Sequence, residues 1–241
     1  VDLATNGTGN ATVVNATALD LAASTVGGAL VATASAGNIT DSGVLEITGA
    51  ATFTVAGGQS IYLNAVDATT NDANKFDNQA AGQADADDGA LSFVASSGKL
   101  ASVTIHDYDE LFDFPALDIT GNLEIEVASR SEAAQGDASS NVNIAFTQNG
   151  SLDIDGSTTI KVTSGSAKHV TVNDDDNDFT GAVSIINGNQ MRLETSGALV
   201  LGTIQGSWAI IESSGDVTQS AGGTIDTGNF FSVDATLPGS G

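Results

Sequence analysis

With 241 residues the chain is long enough for one large or two small domains around a substantial core. Its 30 acidic residues against 6 basic ones give a formal charge of −24, which argues against nucleic acid and anionic membrane surfaces as partners. No stretch approaches the ~20 apolar residues of a membrane span, and the absence of cysteine leaves no disulfide framework and no thiolate chemistry.

At 41% hydrophobic the chain is too apolar for disorder. It is also too poor in Lys, Glu, Arg and Gln for ordinary helices. Its 28 glycines, with abundant Ala, Thr, Ser and Asn, suit many short strands between tight turns. Val1-Asp2-Leu3 already reads as strand, so no signal peptide is expected, and the sequence reads as a mature chain or an excised piece. Strands are then expected at Leu19/Leu21, Leu30/Ala32, Ile39, Leu45/Ile47, Phe53/Val55 and Ile61/Leu63. Each pair is two residues apart, which puts both side chains on one face of a strand.

The same landmarks return further along. Ala18-Leu19-Asp20-Leu21 recurs as Ala116-Leu117-Asp118-Ile119 and as Ala198-Leu199-Val200-Leu201. Glycines follow at Gly28, Gly121 and Gly206, then strands at Leu30, Leu123 and Trp208, the last expected in the core. Gly89-Ala90-Leu91-Ser92-Phe93 matches Gly181-Ala182-Val183-Ser184-Ile185. The reading is a supra-repeat of about 90 residues, with copies near 1–88, 89–180 and 181–241 of a single domain. Phe53, Ile160 and Phe231 fall at one inward position of it. Most junctions lack the Asn-Gly turns that hairpins favour. The expected fold is therefore all-β, a parallel β-helix (β-solenoid) with coils of about 20 residues and inserted loops.

The runs Ala18 to Leu21, Gly37-Asn38-Ile39-Thr40-Asp41-Ser42-Gly43, Asn177 to Ser184 and Gly215 to Ser220 resemble the β-strand repeats of filamentous-haemagglutinin-like exoproteins. That resemblance implies a β-solenoid at the cell surface or outside the cell, and no particular ligand.

Function is expected where repeat copies differ. Three insertions stand out: the acidic stretch from Val66 to Asp88, the polar stretch from Ala128 to Asn141, and the stretch from His106 to Phe114. In the last, His106, Tyr108, Phe112 and Phe114 gather in a chain poor in aromatics, as an interaction surface would require. Asp174, Asp176 and Asp178 alternate, so an extended strand would present three carboxylates on one side, and Asp85, Asp87 and Asp88 precede the matching glycine of the earlier copy. Hard oxygen ligands at this density suit calcium, although Phe179 stands where an EF-hand loop needs glycine. The competing reading is a solvated acidic turn.

No enzyme is expected. Neither His106 nor His169 lies near a nucleophile elbow, and β-helical polysaccharide lyases need basic residues beside calcium, where this chain offers few. Asn6, Asn10, Asn15, Asn38 and Asn149 each begin an Asn-x-Ser/Thr triplet and are glycosylation candidates in a source that glycosylates.

Neither end reads as a cap: Val1 and Leu3 begin at a repeat landmark, and Phe230 and Phe231 stay strand-like close to the end. Uncapped solenoid ends invite stacking. The leading expectation is an extracellular structural subunit that polymerises head to tail with itself. The alternative is an adhesive module of a larger exoprotein that binds surface polysaccharide.

Overall fold

The structure is a computed structural model that describes residues 1–68, 73–76, 91–107, 111–127, 144–163 and 168–235, with the side chains of 111–113 and 144 outside the description. Every pairing between its strands is parallel, and no helix occurs among the described residues. The chain is a parallel β-solenoid of about nine turns in all. It divides into two compact units, Val1–Asp109 with Arg130–Asn141, and Glu110–Ser129 with Val142–Gly241.

The first unit is three-sided. Its strands are β1 (Ala11–Asn15), β2 (Leu19–Leu21), β3 (Ser24–Val26), β4 (Leu30–Ala34), β5 (Ile39–Asp41), β6 (Leu45–Ile47), β7 (Ala51–Val55), β8 (Ile61–Leu63), β9 (Lys75–Phe76), β10 (Leu91–Ala95) and β11 (Val103–Asp107). One face stacks β1, β4, β7 and β10; a second stacks β2, β5, β8 and β11; the third stacks β3, β6 and β9. Leu19 pairs with Ile39 and Ile39 with Ile61, so a coil takes about 20 residues, which matches the expected period. Alternation fixes the inside: β2, β3 and β6 each show buried, exposed, buried side chains, as a period of two demands. Phe53 is fully buried between an edge-on Phe76 at 6.0 Å and a stacked Phe93 at 6.1 Å.

Strands of the second unit are β12 (Leu111–Ile119), β13 (Leu123–Val127), β14 (Ile144–Ile154), β15 (Thr158–Val162), β16 (His169–Val172), β17 (Asp178–Phe179), β18 (Ala182–Thr195), β19 (Leu199–Ser213), β20 (Val217–Gln219) and β21 (Ile225–Asp234). Here the corners are absorbed into long strands. β18 pairs with both β15 and β16 and bends at Asn187, whose φ of 65° is left-handed. β19 pairs with β18 through two register shifts. Inside, Phe114 packs on Phe146 at 5.5 Å, both buried.

Glycine lets coils meet at the corners. A Cβ on Gly181 would lie 2.1 Å from the carbonyl oxygen of Gly156, and one on Gly156 would lie 2.4 Å from the backbone of Gly121. The backbones touch there, and the amide of Gly156 donates to the carbonyl of Gly121 at 3.0 Å. Side-chain amides bridge coils elsewhere. The fully buried Asn74 accepts from the Leu45 amide at 2.8 Å, and the fully buried Asn177 accepts from the Leu152 amide at 2.8 Å. Both satisfy backbone donors that water cannot reach.

Candidate functional site

The described sequence-predicted residues fall in both units, and each is placed within its own unit. At the N-terminus, Val1 is exposed and its amine donates to the Asp20 carbonyl at 2.5 Å, while the Thr25 amide donates to the carbonyl of Leu3 at 2.9 Å. This run lies beside β3, and Leu3 helps line a shallow cleft with Asp2, Thr25, Glu46, Asp67 and Lys75.

The acidic stretch before β17 is not an extended strand. The Asn177 amide donates to the Asp174 carbonyl at 3.2 Å, and the Asp176 amide donates to an Asp174 carboxylate oxygen at 3.0 Å, so Asp174 to Asn177 form a turn. Short polar side chains that bond their own backbone favour such turns. The turn gathers carboxylate oxygens of Asp174, Asp175 and Asp176 within 4.8 Å of one another. Asp178 instead belongs to β17, paired with Asp153. The alternating triad is thus replaced by three consecutive residues. Asp85, Asp87 and Asp88 lie outside the described residues.

Of the aromatic insertion, His106 is half-buried on β11. Tyr108 lies outside the described residues, as does the side chain of Phe112, whose backbone runs in β12. Phe114 was expected on a contact surface, but it is core, 1% exposed against Phe146.

The Asn-x-Ser/Thr triplets sit at corners and edges. The side-chain carbonyls of Asn10 and Asn38 accept from the amides of Ala29 and Ser60 in the next coil, at 2.8 and 2.9 Å. The Asn15 amide nitrogen donates to the Ala18 carbonyl at 2.6 Å. Asn6 and Asn149 are exposed, the latter on β14.

Trp208 overturns its expected place. It is 46% exposed, whereas Leu30 and Leu123, its sequence counterparts, are buried. The cause is a change of phase inside β19: Ile204 is buried, yet so are Ala209 and Ile211, an odd number of residues further on. The change falls at Gly206-Ser207, and there β21 carries one residue more than β19, since Gly206 pairs with Thr227 and Trp208 with Phe230. A one-residue slip moves every following side chain to the other face. Ala209 and Ile211 therefore fill the interior, and Trp208 and Ile210 face out. Phe230 stacks on Trp208 at 5.2 Å with 30° between the rings. Phe231, expected inside, and Val233 lie over Ala209 and Ile211 by register, yet Phe231 is only half-buried and Val233 is 41% exposed. Among the described strands, β21 pairs with β19 alone.

The same outer face carries ionic groups that the sequence did not single out. Arg192 on β18 donates to Glu212 at 2.8 Å and also pairs with Glu194. Burial, and then a hydrogen bond with Glu212, pushes the Glu194 carboxyl above its ordinary range. The pairing of Glu194 with Glu212 and of Glu212 with Asp234 places three acids in register on neighbouring strands.

No curated protein and no solved structure matches the chain. Residues 8–80 and 129–186, more than half of the sequence, match the family model described as Repeats of unknown function (DUF5649), and the chain belongs to that family of repeat proteins.

Proposed function

We propose that the chain is an extracellular or cell-surface structural protein whose coils stack end to end with further copies into a filament, sheath or surface coat. The observation that carries this reading is the apolar side chains that β21 exposes. Among the described strands β21 pairs with β19 alone, and Ile225 and Val233, over the buried Ile204 and Ile211, are 37% and 41% exposed. Soluble proteins blunt such edges with lysine, proline or a covering segment. The β21 sequence IDTGNFFSVD has neither lysine nor proline. A parallel strand of another copy would fill the ladder and cover the apolar side chains, and such a head-to-tail contact propagates.

A charge of −24 opposes this contact. Assembly should therefore strengthen as salt shortens the Debye length from ~10 Å at 0.1 M to ~3 Å at 1 M. Calcium on the Asp174–Asp176 turn would act in the same direction. The resemblance to filamentous-haemagglutinin-like repeats supports the exterior location.

The test is negative-stain microscopy with sedimentation of the isolated chain at rising protein and salt concentration. Fibres that disappear in Val233→Lys, with strand content unchanged, are the expected result. A chain that stays monomeric at high concentration in salt and calcium would overturn it. The second reading, an adhesive module of a larger exoprotein, is favoured by one observation, the exposed Trp208–Phe230 pair.

A further inference from the structure

The outer face of β18, β19 and β21 has an order that neither folding nor end-to-end stacking uses. Inward positions on these strands are filled by Met191, Leu193, Ala209 and Ile211. Outward positions form a grid. Gln190, Trp208 and Phe230 lie in one row by register, and Arg192, Ile210 and Ser232 in the next. Trp208, the chain's single tryptophan, is 46% exposed, Ile210 42% and Phe230 41%. Nearly half of what tryptophan burial could contribute to folding is therefore not used on this strand. Adjacent exposed apolar groups rimmed by polar ones mark a binding surface.

The chemistry of the rim selects the ligand. Arg192 is held by Glu212 and Glu194, so its guanidinium is fixed in place and already neutralised. Gln190 adds an exposed amide, and Glu212 adds acceptor oxygens. A lipid tail would strip water from these groups without replacing their hydrogen bonds. An anionic polymer would meet a chain of charge −24. An uncharged sugar polymer suits both parts. The C–H face of a pyranose packs on aromatic rings, and its hydroxyls both donate and accept. Neighbours within a row are ~4.8 Å apart from strand to strand, comparable to a sugar ring, so successive sugars would meet successive strands.

We infer that Trp208, Phe230, Ile210, Gln190, Arg192 and Glu212 form a binding surface for an uncharged polysaccharide. This surface is the outer face of the sheet, not the edge of β21, so the inference stands whether or not coils stack.

Trp208 is its own reporter. At a protein concentration where the chain sediments as a monomer, its emission is titrated with glucan hexasaccharides of β-1,4, β-1,3 and α-1,4 linkage, and with sulfated forms of each. The expected result is a saturable blue shift with at least one uncharged glucan and none with the sulfated forms. Phe230→Ala and Arg192→Ala should each raise the Kd at least tenfold, while Val14→Ala, on an exposed face of the first unit, leaves it unchanged. Silence with all three uncharged glucans, or equal affinity in Phe230→Ala, would overturn the inference. A blue shift on concentrating the protein without sugar would also overturn it, because a second copy would then own this face.

Discussion

The two units solve one packing problem in different ways. In the first, no described strand exceeds five residues, and the described corners are separate turns. In the second, β18 and β19 run 14 and 15 residues through their corners and accommodate the mismatch as register shifts. The interior is indifferent to this choice, since both units bury a phenylalanine cluster and one asparagine that bridges coils. The exterior is not indifferent. Where strands are short and evenly wound, the alternation holds its phase, and Thr, Ser and Asp face out among single valines such as Val14 and Val31. Where a long strand changes phase at a glycine, Trp208 and Ile210 emerge side by side with Phe230 on one face. Register, more than composition, decides what the surface offers.

The strongest way to break this comparison is to attack the shared interior. Phe53→Ala in the first unit and Phe146→Ala in the second should each cost about 3–5 kcal/mol in urea unfolding, because both side chains are fully buried. Phe231→Ala, on the half-buried outer strand, should cost less than about 1 kcal/mol by the same area argument. A large loss at Phe231 would mean that β21 is covered in solution and would itself support stacking.

Next come the polar bridges. Asn177→Ala leaves the Leu152 amide without its 2.8 Å acceptor, and Asn74→Ala does the same to Leu45. An orphaned buried donor costs about 1–3 kcal/mol, so both variants should melt lower. If only one does, water reaches the other corner. Of similar size is Gly181→Ala, whose methyl would meet the Gly156 carbonyl oxygen at 2.1 Å. Overpacking costs about 1–3 kcal/mol, and here the obstacle is backbone, which cannot rotate away.

Much of the fold was legible because a solenoid repeats its evidence. Leu19/Leu21, Leu45/Ile47 and Phe53/Val55 each announce an inward face by spacing alone, and all six are buried. The site was less legible. Trp208 was misplaced because spacing carries phase forward from its neighbours, and nothing in Gly206-Ser207 announces a shift. Phe114 was misread because an aromatic cluster in an apparent insertion looks alike whether it faces water or a partner strand. The grid of Gln190, Arg192 and Glu212 comes from three positions that are unremarkable singly, and only the pairing of β18 with β19 brings them together. A small inward residue between two large ones, Ala209 between Trp208 and Ile210, was the available signal.

The smallest effect separates the units by pH. Asp41, in the first, accepts from the amides of Asn64 and Ala65 and from the side chain of Asn74 at 2.6 Å, pinning the chain where it leaves β8. Burial nevertheless raises its carboxyl above the ordinary range, since desolvation outweighs these bonds. The folded state therefore holds this proton more tightly than the unfolded chain does. Between the ordinary carboxyl value and the raised one, stability must fall as pH rises, and Asp41 costs most once it is ionised in both states. His169, in the second unit, runs the other way. Burial, then the charge of Lys168, lowers its pKa, so its contribution is present above the ordinary histidine value and is lost as pH falls below it. Asp41→Asn should flatten the acid side of the stability profile, and His169→Gln should flatten the segment just below the histidine range. Unfolding midpoints measured across both windows check the signs. An Asp41→Asn variant whose profile keeps the parent slope would show that the carboxylate at the end of β5 is hydrated after all.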